Sequence, residues 1–152
     1  MENKTVAAVG CDHGGFDYKE QVIQILKEHG YEVLDHGTYS ADSTDYPDHI
    51  HPVGNDIDCG KASVGIILCG SGNGAAMTAN KHQKVRAALC WTTELASLAR
   101  QHNNANVLAI PARFVDEETA MSMVNTFLET EFEGGRHTRR VDKISYTDPQ
   151  NC

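Results

Sequence analysis

The residues best suited to chemistry in this sequence lie between Val64 and Lys81, where a thiol meets a glycine-rich loop. An apolar run ends at Cys69, three glycines follow on alternate positions, and a helix is predicted to start at Ala75. Such glycines let backbone amides come close to a bound group, and the start of a helix attracts anions. A thiol held there is drawn toward its thiolate form, which can serve as a base or a nucleophile. The alternative is that Cys69 is a small buried apolar residue, the commoner fate of a cysteine that stands alone.

The loop also fits the dinucleotide-binding pattern G-x-G-x-x-A over residues 70–75. That pattern normally opens a fold, and an acidic residue ends the next strand about 20 residues further on. Here the pattern lies in the middle of the chain, and the next apolar run ends in Cys-Trp-Thr-Thr at residues 90–93, with no carboxylate. A cradle for a phosphate or an oxyanion therefore fits the loop better than a dinucleotide site.

Two pairs of polar residues can take part in the same chemistry. Asp12 and His13 follow the first apolar run, where Asp12 can instead serve only as a cap for the next helix. His102 and Asn103 end a predicted helix, where His102 can instead serve only as a favourable cation at the negative end of the helix dipole. Both interpretations stay open on the residues alone.

Basic and histidine-rich stretches give two further signals. Arg136 and Arg140 stand four positions apart on a short predicted helix, so they share a face and can grip one phosphate, although such runs usually form a solvated face. His49 and His51 form an H-x-H pair, but no partnered cysteine or further ligand spacing accompanies them. We therefore expect no metal site.

Composition and charge restrict the class of protein. With 40% hydrophobic and 22% charged residues, the chain is typical of a single globular domain, which we assign to residues 1–152. The net charge of −8 argues against a nucleic-acid partner. No apolar stretch approaches the ~20 residues of a membrane helix or resembles the core of a signal peptide, so no membrane association is expected. The cysteines are odd in number and lack a C-x-x-C pair, which predicts free thiols and a cytoplasmic location.

Hydrophobic periodicity predicts strands that alternate with helices. The strands are predicted at 6–9, 31–34, 64–69, 85–90 and 106–110, and the helices at 16–29, at 49–61, from 75, from 93, from 116 and at 136–144. Lys19 is expected on the solvent side of the first helix, and Pro52 in the first turn of the second. Thr93 and Asp116 are predicted to cap the helices that follow them, and residues 146–152 to form a loose tail.

This alternation predicts an α/β protein with an open parallel sheet that is covered by helices on both faces. Ligands of such sheets bind beyond the C-terminal ends of the strands, where the strand order reverses. Asp12, the loop after Cys69, Trp91 and Arg113 leave those ends. His102 lies on a helix that leads into the last strand, so its loop is expected to fold back and join them.

Taken together, these stretches resemble the type B ribose-5-phosphate isomerases, a family that also holds galactose-6-phosphate isomerases. The matching motifs run in order along the chain: Gly10–Gly14, Thr44–Pro47, Leu68–Gly74, Ala79–Lys81, Val85–Ala87, Ser97–Asn103, Ala105–Val107 and Gly134–His137 with Arg140. The resemblance implies a Rossmann-like three-layer sandwich and the interconversion of ribose 5-phosphate and ribulose 5-phosphate without a metal or a cofactor. It also implies a homodimer with shared active sites, into which Arg136 and Arg140 reach from the neighbouring subunit; a tetramer is the alternative assembly.

The resemblance also implies roles for individual residues. Cys69 would be the base that moves a proton between C1 and C2, since the glutamate that some members use instead is Ala75 here. The loop and the Ser71 hydroxyl would stabilise the enediolate oxygen, and His102 would open the sugar ring. The residues that would bind the sugar and its phosphate are Asp12, His13, Tyr46, Gly70, Ser71, Gly72, Asn73, Gly74, Asn103, Arg113, Arg136 and Arg140.

Three other functions stay open at this point. The stretch 49–52 and Trp91 depart from the family pattern and can reshape the sugar pocket, which leaves a six-carbon phosphosugar as an alternative substrate. A flavin- or nucleotide-binding module would need aromatic stacking residues near the loop, and Trp91 is the only tryptophan. A phosphosugar sensor without catalysis would keep the arginines but would not need Cys69 or His102, so the presence of both favours an enzyme.

Overall fold

One parallel sheet of five strands forms the centre of the molecule. The computed structural model describes residues 5–146, and its strands are β1 (Val6–Cys11), β2 (Glu32–Asp35), β3 (Val64–Cys69), β4 (Ala87–Leu89) and β5 (Val107–Pro111). The helices are α1 (Phe16–Glu28), α2 (Tyr46–Asp58), α3 (Asn73–Ala79), α4 (Thr93–Asn103), α5 (Glu117–Glu129) and α6 (Arg136–Val141). The strands lie in the order β2-β1-β3-β5-β4, which confirms the predicted parallel α/β sheet.

The middle strand is β3, whose sequence is apolar throughout. All six of its residues are buried, as expected for a strand that is covered on both faces. Its register sets Leu68 beside Cys11 of β1, and Cys69 beside Pro111 of β5. The C-terminal ends of three adjacent strands therefore meet at one edge of the sheet. We call this edge the C-terminal edge. The opposite edge, where the strands begin, is called the N-terminal edge.

Helices cover both faces of the sheet, so the predicted three-layer arrangement is confirmed. On one face α1, α4 and α5 contribute buried side chains that include Leu26, Ala99 and Phe127. On the other face α2 and α3 contribute Ile50 and Ala79, among others. Burying one large aliphatic or aromatic side chain contributes about 1.5–3 kcal/mol, so each face adds substantially to the stability of the sheet.

Lys19 departs most clearly from the predicted pattern of burial. The helix periodicity expects it on the solvent side of α1, yet the side chain is buried. Its ammonium group donates to both carboxylate oxygens of Asp35, at 2.9 and 3.0 Å, and to the carbonyl oxygen of Thr38 at 2.7 Å. A buried ammonium is tolerated when it is paired in this way. The partners come from the segment after β2, which helix periodicity cannot reveal.

The second helix begins three residues earlier than predicted and carries a proline in its interior. Its first residue is Tyr46, and Pro47 stands in the first turn, where a missing N–H leaves no bond unmade. Pro52 therefore lies in the middle of α2 and not in its first turn. A β-carbon on Gly54 would overlap the His82 ring, so this glycine allows α2 to pack closely against the turn after α3.

Two helix caps show how local hydrogen bonds set the boundaries. Thr92, and not Thr93 as predicted, caps α4, because its hydroxyl accepts the N–H of Leu95 at 3.2 Å. Asp116 caps α5 as predicted, and its carboxylate accepts the N–H of Thr119 at 2.7 Å. α3 begins two residues before the predicted start, so the glycine loop is shorter than expected.

The edge strand β4 is also shorter than predicted, because side-chain amides bind the residues that lead into it. Asn106 Oδ1 accepts the N–H of Arg86 at 2.7 Å, and Asn80 Oδ1 accepts the N–H of Ala87 at 2.8 Å. Apart from the exposed Tyr146, the predicted tail over 146–152 lies outside the described residues. Within residues 5–146, no helix has the length and hydropathy that a membrane crossing requires.

Candidate active site

The C-terminal edge gathers the predicted residues that leave β1, β3 and β5, and the start of α2 joins them. We call this group the thiol cluster: Asp12, His13, Tyr46, Cys69, the loop Gly70–Gly74 and Arg113. Several of its members touch through the backbone, so the fold itself sets their positions.

The reactive candidate of this cluster is Cys69, the last residue of β3, which is 4% exposed. Its carbonyl accepts the N–H of Ala112 at 3.0 Å, which ties the strand to the turn after β5. The buried thiols Cys11 and Cys90 lie near the ends of β1 and β4, and burial raises the pKa of each to about 11. Those two thiols stay protonated near neutral pH, so neither is a candidate for a base.

At Gly72 and Gly74, the glycine loop is packed so closely that a side chain would not fit. A β-carbon on Gly72, whose φ is +76°, would overlap the Leu89 side chain. A β-carbon on Gly74 would overlap the Tyr46 ring, so the first residue of α2 lies directly on the loop. The loop is therefore held from both sides, by Leu89 and by Tyr46.

The start of the loop lies against the guanidinium arm of Arg113. The Gly70 carbonyl accepts the N–H of Arg113 at 3.0 Å, and a β-carbon on Gly70 would lie 3.3 Å from Cδ of Arg113. Further along, the hydroxyl of Ser71 accepts the N–H of Asn73 at 3.4 Å. A cation and a hydroxyl thus flank the residue that follows Cys69, an arrangement that can stabilise a developing oxyanion.

Asp12 belongs to the turn after β1 and does not cap the next helix. Its Oδ1 accepts the N–H of Gly14 at 2.8 Å, whereas the cap of α1 is Gly15, which makes no side-chain cap bond. A β-carbon on Gly14 would lie 2.9 Å from the backbone nitrogen of Gly70. The Asp12 turn therefore lies against the start of the glycine loop, and the helix-capping interpretation is wrong.

Nitrogen donors from two elements meet beside this turn. His13 Nδ1 accepts the N–H of Thr44 at 3.3 Å, so a neutral His13 carries its proton on Nε2. His13 and Arg113 line one hollow of about 220 Å³, whose other lining residues are Gly14, Asp17, Tyr18 and Ala112. Nitrogen donors from His13 and Arg113 suit an anion such as a phosphate.

The two histidines of the H-x-H pair bind different partners. His49 Nε2 lies 3.0 Å from the Thr44 hydroxyl, and its Nδ1 lies 2.9 Å from the carbonyl oxygen of His36. His51 instead lies 2.8 Å from His82. Because Thr44 also binds His13, His49 supports the segment that orients His13. The departure from the family pattern at His49 therefore contributes to the thiol cluster indirectly.

A second group of predicted residues lies at the N-terminal edge. We call it the histidine cluster: His102, Asn103, Glu133, Arg136, His137 and Arg140. The rings of His102 and His137 stack, with their centres 4.4 Å apart and their planes at 13°. Glu133 Oε2 lies 4.0 Å from Nε2 of His102 and 3.6 Å from Nε2 of His137. Burial, followed by the nearby His102 and Arg136, lowers the pKa of His137.

Glu133 and His137 had no predicted role in the site. His137 stands inside a basic run, and Glu133 precedes the two glycines before α6. They contact His102 although more than thirty residues of sequence separate them from it, so no local sequence pattern predicts the contact. The N–H of Glu133 donates to the carbonyl oxygen of Gln101 at 3.1 Å, and this bond fixes the segment against the end of α4.

The two clusters do not meet within one chain, which corrects the expectation that the loop after α4 folds back. α4 starts at the C-terminal edge after β4 and ends at the N-terminal edge before β5, as a helix that connects parallel strands must. Arg100 holds its end, because the guanidinium donates to the carbonyl oxygens of Ala105 and Thr130. The six residues of β3 separate the edges by roughly 17 Å, at about 3.3 Å per residue. One chain therefore presents two separate clusters, one at each edge of the sheet.

Comparisons with known proteins agree on one family. The model of the ribose/galactose isomerase family matches residues 7–144. The chain is 43% identical over 138 residues to the ribose-5-phosphate isomerase B of Escherichia coli K12, covering 91% of this chain and 93% of that protein. It is 41% identical over 137 residues to a probable ribose-5-phosphate isomerase B of Mycoplasma pneumoniae, covering 90% of each chain.

Solved structures lead to the same family. A ribose-5-phosphate isomerase of Thermotoga maritima is similar with a TM-score of 0.87 and 46% identity, covering 95% of this chain and 99% of that one. The ribose-5-phosphate isomerase B of Mycoplasma genitalium with bound ribulose 5-phosphate is similar with a TM-score of 0.88 and 40% identity, covering 92% and 93% of the two chains. The resemblance and the Rossmann-like fold are thereby confirmed. This chain belongs to the ribose/galactose isomerase family.

Proposed function

We propose that the protein is an aldose–ketose isomerase that interconverts D-ribose 5-phosphate and D-ribulose 5-phosphate. Its membership of the family supports an isomerase, and the names of its relatives support this pair of substrates. The observation that carries the proposal is the position of Cys69, which ends the central strand beside both the Asp12 turn and the glycine loop. A base next to preorganised amides is what an enediolate mechanism needs.

In the proton transfer, Cys69 acts as the thiolate. It takes the proton from C2 of the open-chain aldose, which gives an enediolate, and returns it to C1, while the hydroxyl proton of O2 passes to O1. The amides of the loop over residues 70–74 and the Ser71 hydroxyl stabilise the enediolate oxygen. Asp12 and Tyr46, which pack against the two ends of the loop, line the space for the sugar.

The cyclic sugar must open before this transfer, and its phosphate must be held. We assign ring opening to His102, since an imidazole can act as acid or base near neutral pH. Asn103 beside it binds a sugar hydroxyl. His13 and Arg113 bind the phosphate from one side, and the arginines of α6 bind it from the other.

Because the clusters lie at opposite edges, this scheme requires two chains. The active site is shared in a homodimer, in which the histidine cluster of one subunit completes the thiol cluster of the other. Exposed apolar residues supply surface for such a contact, among them Leu95 on α4 and the adjacent rings of Trp91 and Phe114, whose centres are 5.6 Å apart. A tetramer would pair two such dimers.

The state of the cysteines supports a reducing compartment. Within residues 5–146 the cysteines Cys11, Cys59, Cys69 and Cys90 are all free. A base that works as a thiolate must also escape oxidation. We therefore include a cytoplasmic location in the proposal.

The test is proton exchange at C2 of ribose 5-phosphate in heavy water, followed by NMR, together with the rate of ketose formation. The purified wild-type protein is expected to exchange and convert the pentose phosphate faster than a panel of six-carbon phosphosugars. Cys69→Ala is expected to abolish both exchange and conversion while phosphosugar binding persists. The matched control is Cys59→Ala, which removes an exposed thiol at the end of α2 and is expected to leave both rates unchanged.

Two results would contradict the proposal. If Cys69→Ala keeps more than about a tenth of the wild-type kcat, a loss of only ~1.4 kcal/mol, then the thiol is not the base. If the wild type turns over a six-carbon phosphosugar faster than ribose 5-phosphate, then the isomerase reaction stands and the assigned substrate does not.

A further inference from the structure

Three ligand-type side chains converge in the histidine cluster. His102, Glu133 and His137 each offer one ligand atom, and these atoms lie within 4.8 Å of one another. Among residues 5–146 no other group of three histidine, cysteine, aspartate or glutamate side chains comes this close. The set combines two imidazoles with one carboxylate, which is a donor set that zinc takes in proteins.

The backbone holds the three positions in place. The N–H of Glu133 donates to the carbonyl oxygen of Gln101, the residue before His102, at 3.1 Å. The N–H of His137 donates to the carbonyl oxygen of Gly134 at 3.1 Å, at the start of α6. Both imidazoles turn Nε2 toward the same carboxylate oxygen of Glu133, at 3.6 and 4.0 Å. The convergence therefore depends on packed segments and not on three independent side chains.

We infer that His102, Glu133 and His137 form a binding site for a borderline divalent transition-metal ion, with Zn²⁺ as the type case. Zinc bonds of about 2.0–2.2 Å in a tetrahedron place the ligand atoms about 3.4 Å apart. The distances of 3.6 and 4.0 Å from Glu133 exceed this value only slightly. Three protein ligands leave the fourth position of the ion to water or to a substrate oxygen.

The charges around the site act in two directions. Glu133 is the one carboxylate in the triad, and the basic residues Arg136 and Arg140 stand on α6 beside His137. The two arginines repel a metal cation, which keeps the affinity of the site for the metal moderate. Two nitrogen ligands select zinc, cobalt, nickel or copper over magnesium or calcium.

The consequence for catalysis rests on the proposed function. If His102 opens the sugar ring, a metal ion on its nitrogen removes the acid–base group from the site. Zinc would then be an inhibitory ligand and not a cofactor of the isomerase reaction. Inhibition should be relieved by a chelator, and it should be stronger for the cyclic aldose than for ribulose 5-phosphate, which needs no ring opening.

The experiment measures metal binding by the purified full chain, independently of activity. Zinc affinity and stoichiometry are measured by calorimetry, and the ligand type is read from the absorption spectrum of the cobalt complex. The test variants are Glu133→Gln and His137→Asn. The matched control is His29→Asn, because His29 and Glu129 form an exposed histidine–glutamate pair at 3.3 Å that belongs to no group of three.

The wild type and the His29→Asn variant are expected to bind one zinc ion per chain with equal affinity, and both test variants at least tenfold more weakly. The cobalt spectrum is expected to lack a thiolate-to-metal charge-transfer band. Equal affinity in all four proteins, or a strong thiolate band, would overturn the inference, since zinc would then lie elsewhere or on a cysteine. Glu133 is exposed, so Glu133→Gln tests the site even if His137→Asn fails to fold.

The two proposals can fail separately. A protein that binds zinc in the expected pattern but does not isomerise pentose phosphate retains the metal site and loses the proposed function. If the protein isomerises pentose phosphate normally and its zinc affinity is the same in both test variants, the proposed function stands and the metal site does not.

Discussion

The thiol cluster and the histidine cluster are built by different means. In the thiol cluster, backbone contacts do most of the positioning: the Asp12 turn abuts Gly70, and the Tyr46 ring rests on Gly74. Cys69 itself is almost fully buried. In the histidine cluster, the His102 ring at the end of α4 stacks on the buried His137 ring of α6, and the side chains of His102 and Glu133 are 40% and 52% exposed.

This difference follows from the topology of a parallel sheet. Residues that leave the strands collect at the C-terminal edge, whereas residues that end the connecting helices collect at the opposite edge. A set of functional residues that draws on both kinds of position cannot close within one such chain. The proposed homodimer answers this constraint, because it brings the positively charged cluster of one copy to the buried, backbone-lined cluster of another.

The largest expected effect is the rescue of two inactive proteins by mixing them. Cys69→Ala retains an intact histidine cluster, and the double variant Arg136→Ala/Arg140→Ala retains an intact thiol cluster. If sites are shared, each mixed dimer has one site with both defects and one with neither. Random exchange should therefore restore about a quarter of the wild-type sites from a background near zero. The measurement is the isomerase rate before and after subunit exchange.

The control for this experiment is the Cys69→Ala variant alone, taken through the same exchange procedure. Mass spectrometry of tagged chains establishes that exchange has occurred. Exchange without any return of activity would mean that the arginines serve their own subunit, and the shared-site scheme would fail.

The second effect separates the roles of the two clusters. His102→Asn is expected to slow turnover of cyclic ribose 5-phosphate by about 10²-fold or more, the usual contribution of a general acid or base. Turnover of ribulose 5-phosphate should fall much less, because that sugar needs no ring opening and its open-chain product closes in solution. Initial rates in both directions provide the measurement.

His29 offers a matched control for the simpler interpretation of His102. It also stands at the C-terminal end of a helix, as the cap of α1, and lies outside both clusters. His29→Asn is expected to leave both rates unchanged. Equal losses from His102→Asn in the two directions, after correction for the equilibrium constant, would count against a role in ring opening.

The sequence predicts the thiol cluster better than the histidine cluster, for physical reasons. An apolar strand followed by alternate glycines is a local pattern, and the order of strands and helices then predicts which strand ends share an edge. The contact of Glu133 and His137 with His102 arises from tertiary packing, which no spacing encodes. The same limit applies to Lys19, whose burial depends on Asp35 and Thr38 from a different segment.

A third, smaller effect tests whether backbone contact positions the thiol cluster. In Gly74→Ala the new methyl group overlaps the Tyr46 ring, which must move away from the loop. We expect kcat/KM to fall about tenfold, or ~1.4 kcal/mol, with the fold intact because alanine favours a helix. The control is Gly60→Ala, where a β-carbon has no neighbour within 4 Å; its left-handed backbone, with φ at +72°, costs some stability, but kcat/KM of the folded variant should not change. An unchanged kcat/KM in Gly74→Ala would mean that Tyr46 can shift without consequence for the substrate.

The smallest expected effect concerns how the histidine cluster responds to pH. The pKa of His137 is lower in the folded protein than its ordinary value near 6.5, because of burial and the nearby His102 and Arg136. As the pH falls below 6.5, the unfolded chain binds a proton at this histidine more readily than the folded chain does, so the free energy of unfolding decreases. Well above that pH, the histidine is neutral in both states and the free energy of unfolding does not depend on its titration. His137→Gln removes this loss, and the variant should therefore gain on the wild type between pH 7.5 and 5.5.

Urea unfolding at a fixed protein concentration measures the effect, and a cap variant separates it from a general loss of stability. Thr92→Ala removes the hydroxyl that accepts the N–H of Leu95, at a cost of about 1 kcal/mol. No titrating group takes part in that bond, so the difference between this variant and the wild type should stay constant with pH. The difference for His137→Gln should instead move toward the variant as the pH falls. If the difference in stability between His137→Gln and the wild type also stays constant with pH, then the stacked imidazoles are not a source of acid sensitivity. The histidine cluster would then resemble the thiol cluster in being fixed by packing alone.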